Sequence, residues 1–240
     1  MNNVREQLEK VIGGRRIREQ ESLAEHTVKQ QGGPAELYIE LDKTDVIIHL
    51  VKAARQKGVN VLVLGSGSYV TIPDAGVQGL VIKNLCHRFD QMSVRGTMRG
   101  AEMGVREVMV SAESGVTINQ LVRFTIDAGL EGLEYQLGLP GTVGGAIATN
   151  AKYLSPTVSA KYVKDYLYSM RILDEAGEVQ VFTKDLPYFV PLEDDLLETK
   201  DIILSVVFKL LPSDKKALWE RGESAVAYRN AYNDRHKKTL

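Results

Sequence analysis

Two glycine-rich stretches hold the residue types best able to do chemistry: LGSGSYVTIPDAG, from Leu64 to Gly76, and LGLPGTVGGAIATNAKY, from Leu137 to Tyr153. In the first, Gly65 and Gly67 permit φ > 0 and leave no Cβ between a ligand and the main chain. The N–H groups of Gly65, Ser66, Gly67, Ser68 and Tyr69 can then converge on one anion, with the Ser66 and Ser68 hydroxyls as further donors. The spacing begins like a dinucleotide fingerprint, but Val70 stands where the third glycine would fall, and Tyr69-Val70-Thr71-Ile72-Pro73 does not open a helix. A βαβ nucleotide fold is therefore disfavoured. A phosphate-binding nest and an ordinary turn between strands both remain open for this loop.

In the second stretch Pro140 and Gly141 predict a turn, Thr142 a helix cap, and Val143 to Asn150 a helix of small residues whose first N–H groups face an anion. Gly144 and Gly145 inside that helix cost about 1 kcal/mol each relative to alanine, so something flat or bulky is expected to approach their backbone. Close helix–sheet packing is the alternative use of the same glycines.

The remaining polar residues form no catalytic constellation, and the residues of any catalysis stay unknown. His26, His49, His87 and His236 are too scattered to gather a metal, and no metal site is expected. His49 falls on the outer face of a helix, and His26 is expected to make a structural hydrogen bond. Cys86 is the only cysteine, which excludes a disulfide framework and predicts a buried, inert thiol. Glu193, Asp194 and Asp195 read as a solvated acidic loop. Arg229, Arg235, Lys237 and Lys238 give the last helix a basic side, a solvated face or a cover for a ligand edge or partner subunit.

Around these motifs the elements alternate. MNNVREQLEKVIG predicts an amphipathic helix with Val4, Leu8, Val11 and Ile12 on one face, followed by a polar segment from Arg15 to Gly33. AELYIEL is an alternating strand, Lys43 to Lys57 a helix stopped by Gly58, and VNVLVLG and GLVIKN are buried strands on either side of the first glycine loop. Met92 to Ser111 reads as short strands with turns. TINQLVRFTIDAG predicts a helix capped by Thr117 and stopped by Gly129, YVKDYLYSMRILDEAGEVQVF a hairpin turning at Glu175-Ala176-Gly177, and DIILSVVFKLL a strand. The division expected is residues 1–88, residues 89–212 and a charged closing helix, 213–240.

With 240 residues the chain can bury roughly 70–75% of its unfolded surface without staples. Thirty basic residues against 31 acidic ones, with no concentrated basic tract, make nucleic acid a poor partner. The charged N-terminus and the short apolar runs predict a cytosolic protein without a membrane span.

The segment LAEHTVKQQGGPAELYIELDKTDVIIHLVKAARQKGVNVLVLGSGSYVTIPDAGVQGLVIKN, followed by GLEYQLGLPGTVGGAIATNAKY, resembles the UDP-N-acetylenolpyruvoylglucosamine reductase (UDP-N-acetylmuramate dehydrogenase) family of peptidoglycan precursor synthesis. The resemblance covers about residues 20–210 and pairs a GSGS-type loop with GLE…LPGTVGGA…N. It implies an α+β fold of two subdomains of the vanillyl-alcohol-oxidase FAD-binding type, with FAD in the cleft between them and NADPH as possible hydride donor. Carried over residue by residue, it makes Gly65, Ser66, Gly67, Ser68 and Tyr69, together with Leu139, Pro140, Gly141, Thr142, Gly144, Gly145 and Asn150, the cofactor-binding residues.

Three departures qualify that expectation. Tyr69 stands where the family has asparagine, and Asn150-Ala151-Lys152-Tyr153-Leu154-Ser155 replaces a glycine-rich continuation. The family's Tyr-Arg-x-Ser signature, whose arginine meets the substrate carboxylate, is matched here by Tyr188 followed by Phe189, Val190 and Pro191. The family's third domain, which carries the proton-donating serine and much of the UDP-sugar site, would follow the helix that closes this chain. The expectation is thus an FAD-binding flavoprotein with its own reductase turnover left open. A UDP-sugar partner enters only if a third domain is supplied, and homo-oligomers are allowed. A working reductase whose substrate domain lies outside this segment and a non-enzymatic scaffold that has lost FAD are the other readings.

Overall fold

The computed structural model describes residues 2–99, 102–183 and 200–237. The expected departure at residues 188–191 and the acidic residues 193–195 lie outside the described residues, as do Lys238 and the side chains of Arg235, His236 and Lys237.

The elements run α1 (Asn2–Val11), β1 (Arg18–Ser22), β2 (Pro34–Leu41), α2 (Thr44–Gln56), β3 (Val61–Leu64), β4 (Val77–Asn84), β5 (Phe89–Arg99), β6 (Glu102–Glu113) and α3 (Ile118–Asp127). They continue with β7 (Leu130–Glu131), α4 (Val143–Ala148), β8 (Lys152–Ser155), β9 (Val158–Tyr162), β10 (Leu167–Leu173), β11 (Val179–Thr183), β12 (Ile202–Pro212) and α5 (Lys215–Lys237). One sheet has the order β1-β2-β4-β3, and a second has the order β11-β10-β12-β6-β5 with β7 paired to the end of β12.

In the first sheet β2 and β3 both run parallel to β4, because α2 carries the chain back over one face between them. Ile47, Leu50, Val51 and Ala54 recur at helical spacing on α2 and are buried against that sheet, and Gly58 at φ +69° ends the helix region. Along β2 Ala35, Leu37, Ile39 and Leu41 are buried while Glu36 is half-buried and Glu40 exposed, the alternation expected of AELYIEL, with Tyr38 the one buried residue on the opposite face. Leu8 on α1 and Ile12 just after it are buried, but Val11 is 45% exposed and does not belong to the core face.

The second sheet is antiparallel throughout its main path. Of Met92 to Ser111, residues 92–99 and 102–111 lie in two long strands, β5 and β6, rather than in the short strands the glycines suggest. Two register shifts within that pairing take up the irregularity. α3 is capped as expected, with Thr117 Oγ1 accepting from Gln120 N at 3.3 Å. α5 packs over α3 through Leu218 and Trp219.

The two sheets share a core. Leu173, Ile202 and Leu204 of the second pack among α1, α2, β2 and β4 of the first. Burying a side chain of that size contributes about 1.5–3 kcal/mol, so each such residue fastens the sheets together appreciably. Glu113 adds a polar tie: it accepts from Thr44 Oγ1 at 3.0 Å and from Arg88 N at 2.9 Å.

Candidate functional site

Between the sheets, where β3 and α4 face each other, lies a cavity of about 440 Å³, within the range of small-molecule pockets. Gly65, Ser66, Gly67, Ser68 and Tyr69 line it from one side, and Leu139, Pro140, Gly141, Thr142, Gly144 and Gly145 from the other. The loops touch: a Cβ on Gly65 would land on Thr142 Oγ1. Asn150 is the one expected residue outside the lining, although its neighbours Thr149 and Ala151 belong to it. Its φ of +46° marks it as the residue that turns the chain after α4, and its Oδ1 is buried with no partner among the described residues.

The two loops offer different surfaces. No acceptor among the described residues takes the N–H of Ser66, Gly67, Ser68 or Tyr69, so these amides remain available to a ligand. Gly67 sits at φ +69° with its Cα against the His26 carbonyl and Thr27, and its own carbonyl accepts from Val28 N at 3.1 Å. The Ser66 and Ser68 hydroxyls are 2.8 Å apart. Tyr69 is 65% exposed at the edge.

At the start of α4 the expectation of open N–H groups fails. Val143 N donates to Val116 O at 2.7 Å, Gly144 N to Ser114 O at 2.8 Å, and Gly145 N to Thr142 Oγ1 at 3.3 Å. The cap forecast for Thr142 is present, and together with the neighbouring strand it consumes the donors an anion would need. Gly144 lacks a Cβ because Ser114 Cβ would lie 2.8 Å away, which is close packing against the strand end. Gly145 is exposed to the cavity, and a Cβ there would meet only Thr142 Oγ1 at 3.5 Å.

Sequence reasoning missed the floor. Asn84 and Ser114 line the cavity and are joined by a buried bond, Asn84 Nδ2 donating to Ser114 Oγ at 2.8 Å. Ser114 also donates its N–H to Leu204 O at 3.0 Å, so one residue links β4, β12 and α4. A lone asparagine ending the apolar run GLVIKN was the available signal. Lys200 and Asp201 bring charge to the lining, and Leu62, Val63, Ile202 and Ile203 give it an apolar wall.

Of the residues set aside from the site, Cys86 is buried, with its thiol pushed up in pKa by that burial, and His49 is exposed. No group of His, Cys, Asp and Glu among the described residues could hold a metal ion. No described helix is long and apolar enough to cross a membrane.

Three comparisons bear on this arrangement. A family model for an FAD binding domain matches residues 35–183. UDP-N-acetylenolpyruvoylglucosamine reductase of Rhodopirellula baltica is 33% identical over 205 residues, covering 85% of this chain and 61% of that protein. The reductase of Carboxydothermus hydrogenoformans is 30% identical over 205 residues, covering 85% and 62%. This chain thus spans about three fifths of the curated relatives it matches. Among solved structures, the Thermus caldophilus UDP-N-acetylenolpyruvylglucosamine reductase superimposes with a TM-score of 0.64 at 24% identity, over 89% of this chain and 70% of that one. A VAO-type flavoprotein from Myceliophthora thermophila superimposes with a TM-score of 0.60 at 12% identity, over 88% and 47%. The fold is the α+β FAD-binding fold of the vanillyl-alcohol-oxidase type.

Proposed function

The chain belongs to the FAD-binding domain family, and on that premise we propose that the cavity between its two sheets is the FAD site. The observation that carries this is the meeting, in one cavity, of two glycine loops far apart in sequence, one of them with four consecutive amides that find no acceptor among the described residues. Such a run of donors suits the pyrophosphate of a dinucleotide. The residues present fit the cofactor in three respects: amides without an acceptor among the described residues, the Cβ-free approach at Gly145, and the apolar wall of Leu62, Val63 and Ile202 for a planar ring.

On this reading Gly65 to Tyr69 bind the phosphates, while Leu139 to Gly145 form the wall against which the cofactor lies. Asn84 and Ser114 hold that wall in place from below. Residues 1–88 and 89–212 then contribute one loop each. When bound, FAD supplies a two-electron carrier able to take hydride from NADPH. The reduction of an enolpyruvyl UDP-sugar, the activity that names the relatives, is the reaction we assign to the protein as a whole. The catalytic acid and the cation for the substrate carboxylate are to be sought outside the residues described here.

An absorbance spectrum of the purified chain, before and after FAD addition and desalting, tests the reading. Retained bands near ~375 and ~450 nm, as oxidised flavin gives as a bound cofactor, are the expected result. A colourless protein that FAD neither colours nor stabilises against heat would leave the fold as a scaffold.

A further inference from the structure

The last helix, α5, grips both ends of the second glycine stretch. At the leading end Arg229 donates from Nη1 to Leu137 O at 2.7 Å and from Nη2 to Tyr135 O at 3.0 Å. The neighbouring carbonyls are already taken: Leu133 O accepts from Gln136 N at 2.9 Å, Glu134 O from Leu137 N at 3.1 Å, and Gln136 O from Leu139 N at 3.0 Å. Tyr135 O and Leu137 O are thus the two acceptors that this short turn leaves over, and one planar guanidinium spans both. Gly138 N donates to Asn119 Oδ1 on α3 at 3.0 Å, so the backbone entering the loop is held between two helices. α5 lies so close that a Cβ on Gly138, at φ +74°, would stand 3.1 Å from Val226 Cγ2 and 3.6 Å from Arg229 Nη1.

At the trailing end stands Tyr153, which is buried. Its ring stacks on Tyr135 with centroids 5.4 Å apart, meets Tyr228 edge-on at 6.0 Å, and has its centroid 5.9 Å from Arg229 Cζ. The chain between Leu137 and Tyr153 therefore leaves and returns to one guanidinium, and the wall residues Leu139 to Gly145 lie inside that span. Arg229 is half-buried, and no carboxylate among the described residues pairs with it, since Glu131 and Glu134 pair with Arg221. Burial lowers its pKa, and the Tyr153 and Tyr69 hydroxyls act in the opposite sense. A cation drawn out of water without an acid partner is costly. What it secures here is the carbonyl pair that leads into the cavity wall.

We propose that Arg229 is a positioning residue for the second glycine stretch: it joins the two ends of residues 137–153 and thereby fixes Leu139 to Gly145 as the wall facing the first loop. Lysine carries the charge but not the planar fork, so it holds the carbonyl pair less well. An apolar chain of similar length holds neither carbonyl and leaves both on half-buried backbone. The inference rests on the reading of the cavity as an FAD site.

Two measurements on the whole chain test it. The first, without FAD, is hydrogen exchange at Leu139 N, whose bond to Gln136 O closes the turn that Arg229 holds. In Arg229→Met exchange there should quicken by roughly tenfold, and in Arg229→Lys by less, while Leu218 N near the start of α5 and Ala128 N at the end of α3 keep their rates. The second is FAD affinity by flavin fluorescence, which should weaken by roughly tenfold in Arg229→Met and by less in Arg229→Lys. In Arg229→Ala, millimolar ethylguanidinium should restore part of that loss and ethylammonium should not, a geometric signature that general destabilisation does not give. Leu139 exchange unchanged in folded Arg229→Met, or quickened no more than at Leu218 and Ala128, overturns the role of Arg229 whatever FAD does. Arg229→Lys serves the same comparison if the methionine variant does not fold. Quickened exchange with FAD affinity intact overturns the bearing of Arg229 on the cavity. A response at Leu139 in a chain that binds no FAD upholds the staple and overturns the cofactor reading alone.

Discussion

The two glycine loops look alike in sequence and do opposite things with their backbones. In Gly65 to Tyr69 the glycines admit Thr142 and the His26 carbonyl, and the amides of residues 66–69 meet no acceptor among the described residues. In Leu137 to Gly145 the main chain is already tied down: Ile118 N donates to Gly141 O at 3.0 Å, Gly138 N to Asn119 Oδ1 at 3.0 Å, and Arg229 to Leu137 O at 2.7 Å. Gly65, Gly67 and Gly144 let neighbouring chain segments approach one another, and Gly145 leaves the cavity open. Composition alone does not separate these uses, because both demand the absence of a Cβ.

Substitutions by alanine should break the comparison if it is wrong. The largest effect is expected at Gly67→Ala, where a left-handed conformation costs about 1–2 kcal/mol in an L-residue and the new methyl also meets the His26 carbonyl. FAD affinity in titration should fall by more than tenfold, with a smaller loss of melting temperature. Gly144→Ala should reverse that order. Its methyl would overpack Ser114 at a cost of about 1–3 kcal/mol, lowering the midpoint of urea unfolding, while protein that remains folded still binds FAD.

A pH titration of unfolding sharpens the contrast, since the support of the second loop includes a carboxylate next to Ser114. Burial pushes the Glu113 carboxyl up, but hydrogen bonds from Arg88 and Thr44 outweigh it and hold the group below its ordinary value. A depressed folded value means that its stabilisation is present above the unfolded carboxylate value, about pH 4.3, and is lost as pH falls through the folded one. Glu113→Gln should flatten the acid limb of the stability curve. The smallest effect is expected at Gly145→Ala, where the added methyl finds space: about 1 kcal/mol of extra stability without FAD, from better helix propensity, together with weaker FAD binding as the methyl enters the cavity. A variant that binds FAD as well as wild type would remove Gly145 from the cofactor's path.

What the sequence made legible follows from local physics. α2 and α3 announce themselves by spacing, cap and stop and the glycine loops by composition, while the twelve site residues come from the family resemblance, and eleven of them line the cavity. β1 does not, because REQES is a polar edge strand held by pairing to β2 and has no apolar period to read. The hairpin of β8 and β9 is hidden for the same reason: its exposed positions erase the alternation. Asn84–Ser114 is a contact between two sheets, and no local pattern encodes it.

The contact between Gly65 and Thr142 also carries a consequence for the timing of biosynthesis. Its partners come from opposite halves of the chain, so a ribosome that has released the first sheet has made a loop with open amides and no wall facing it. Contacts of such separation close late in folding. On the proposed reading, cofactor capture waits until both loops are made, and bound FAD adds its binding energy to a core that the two sheets already share.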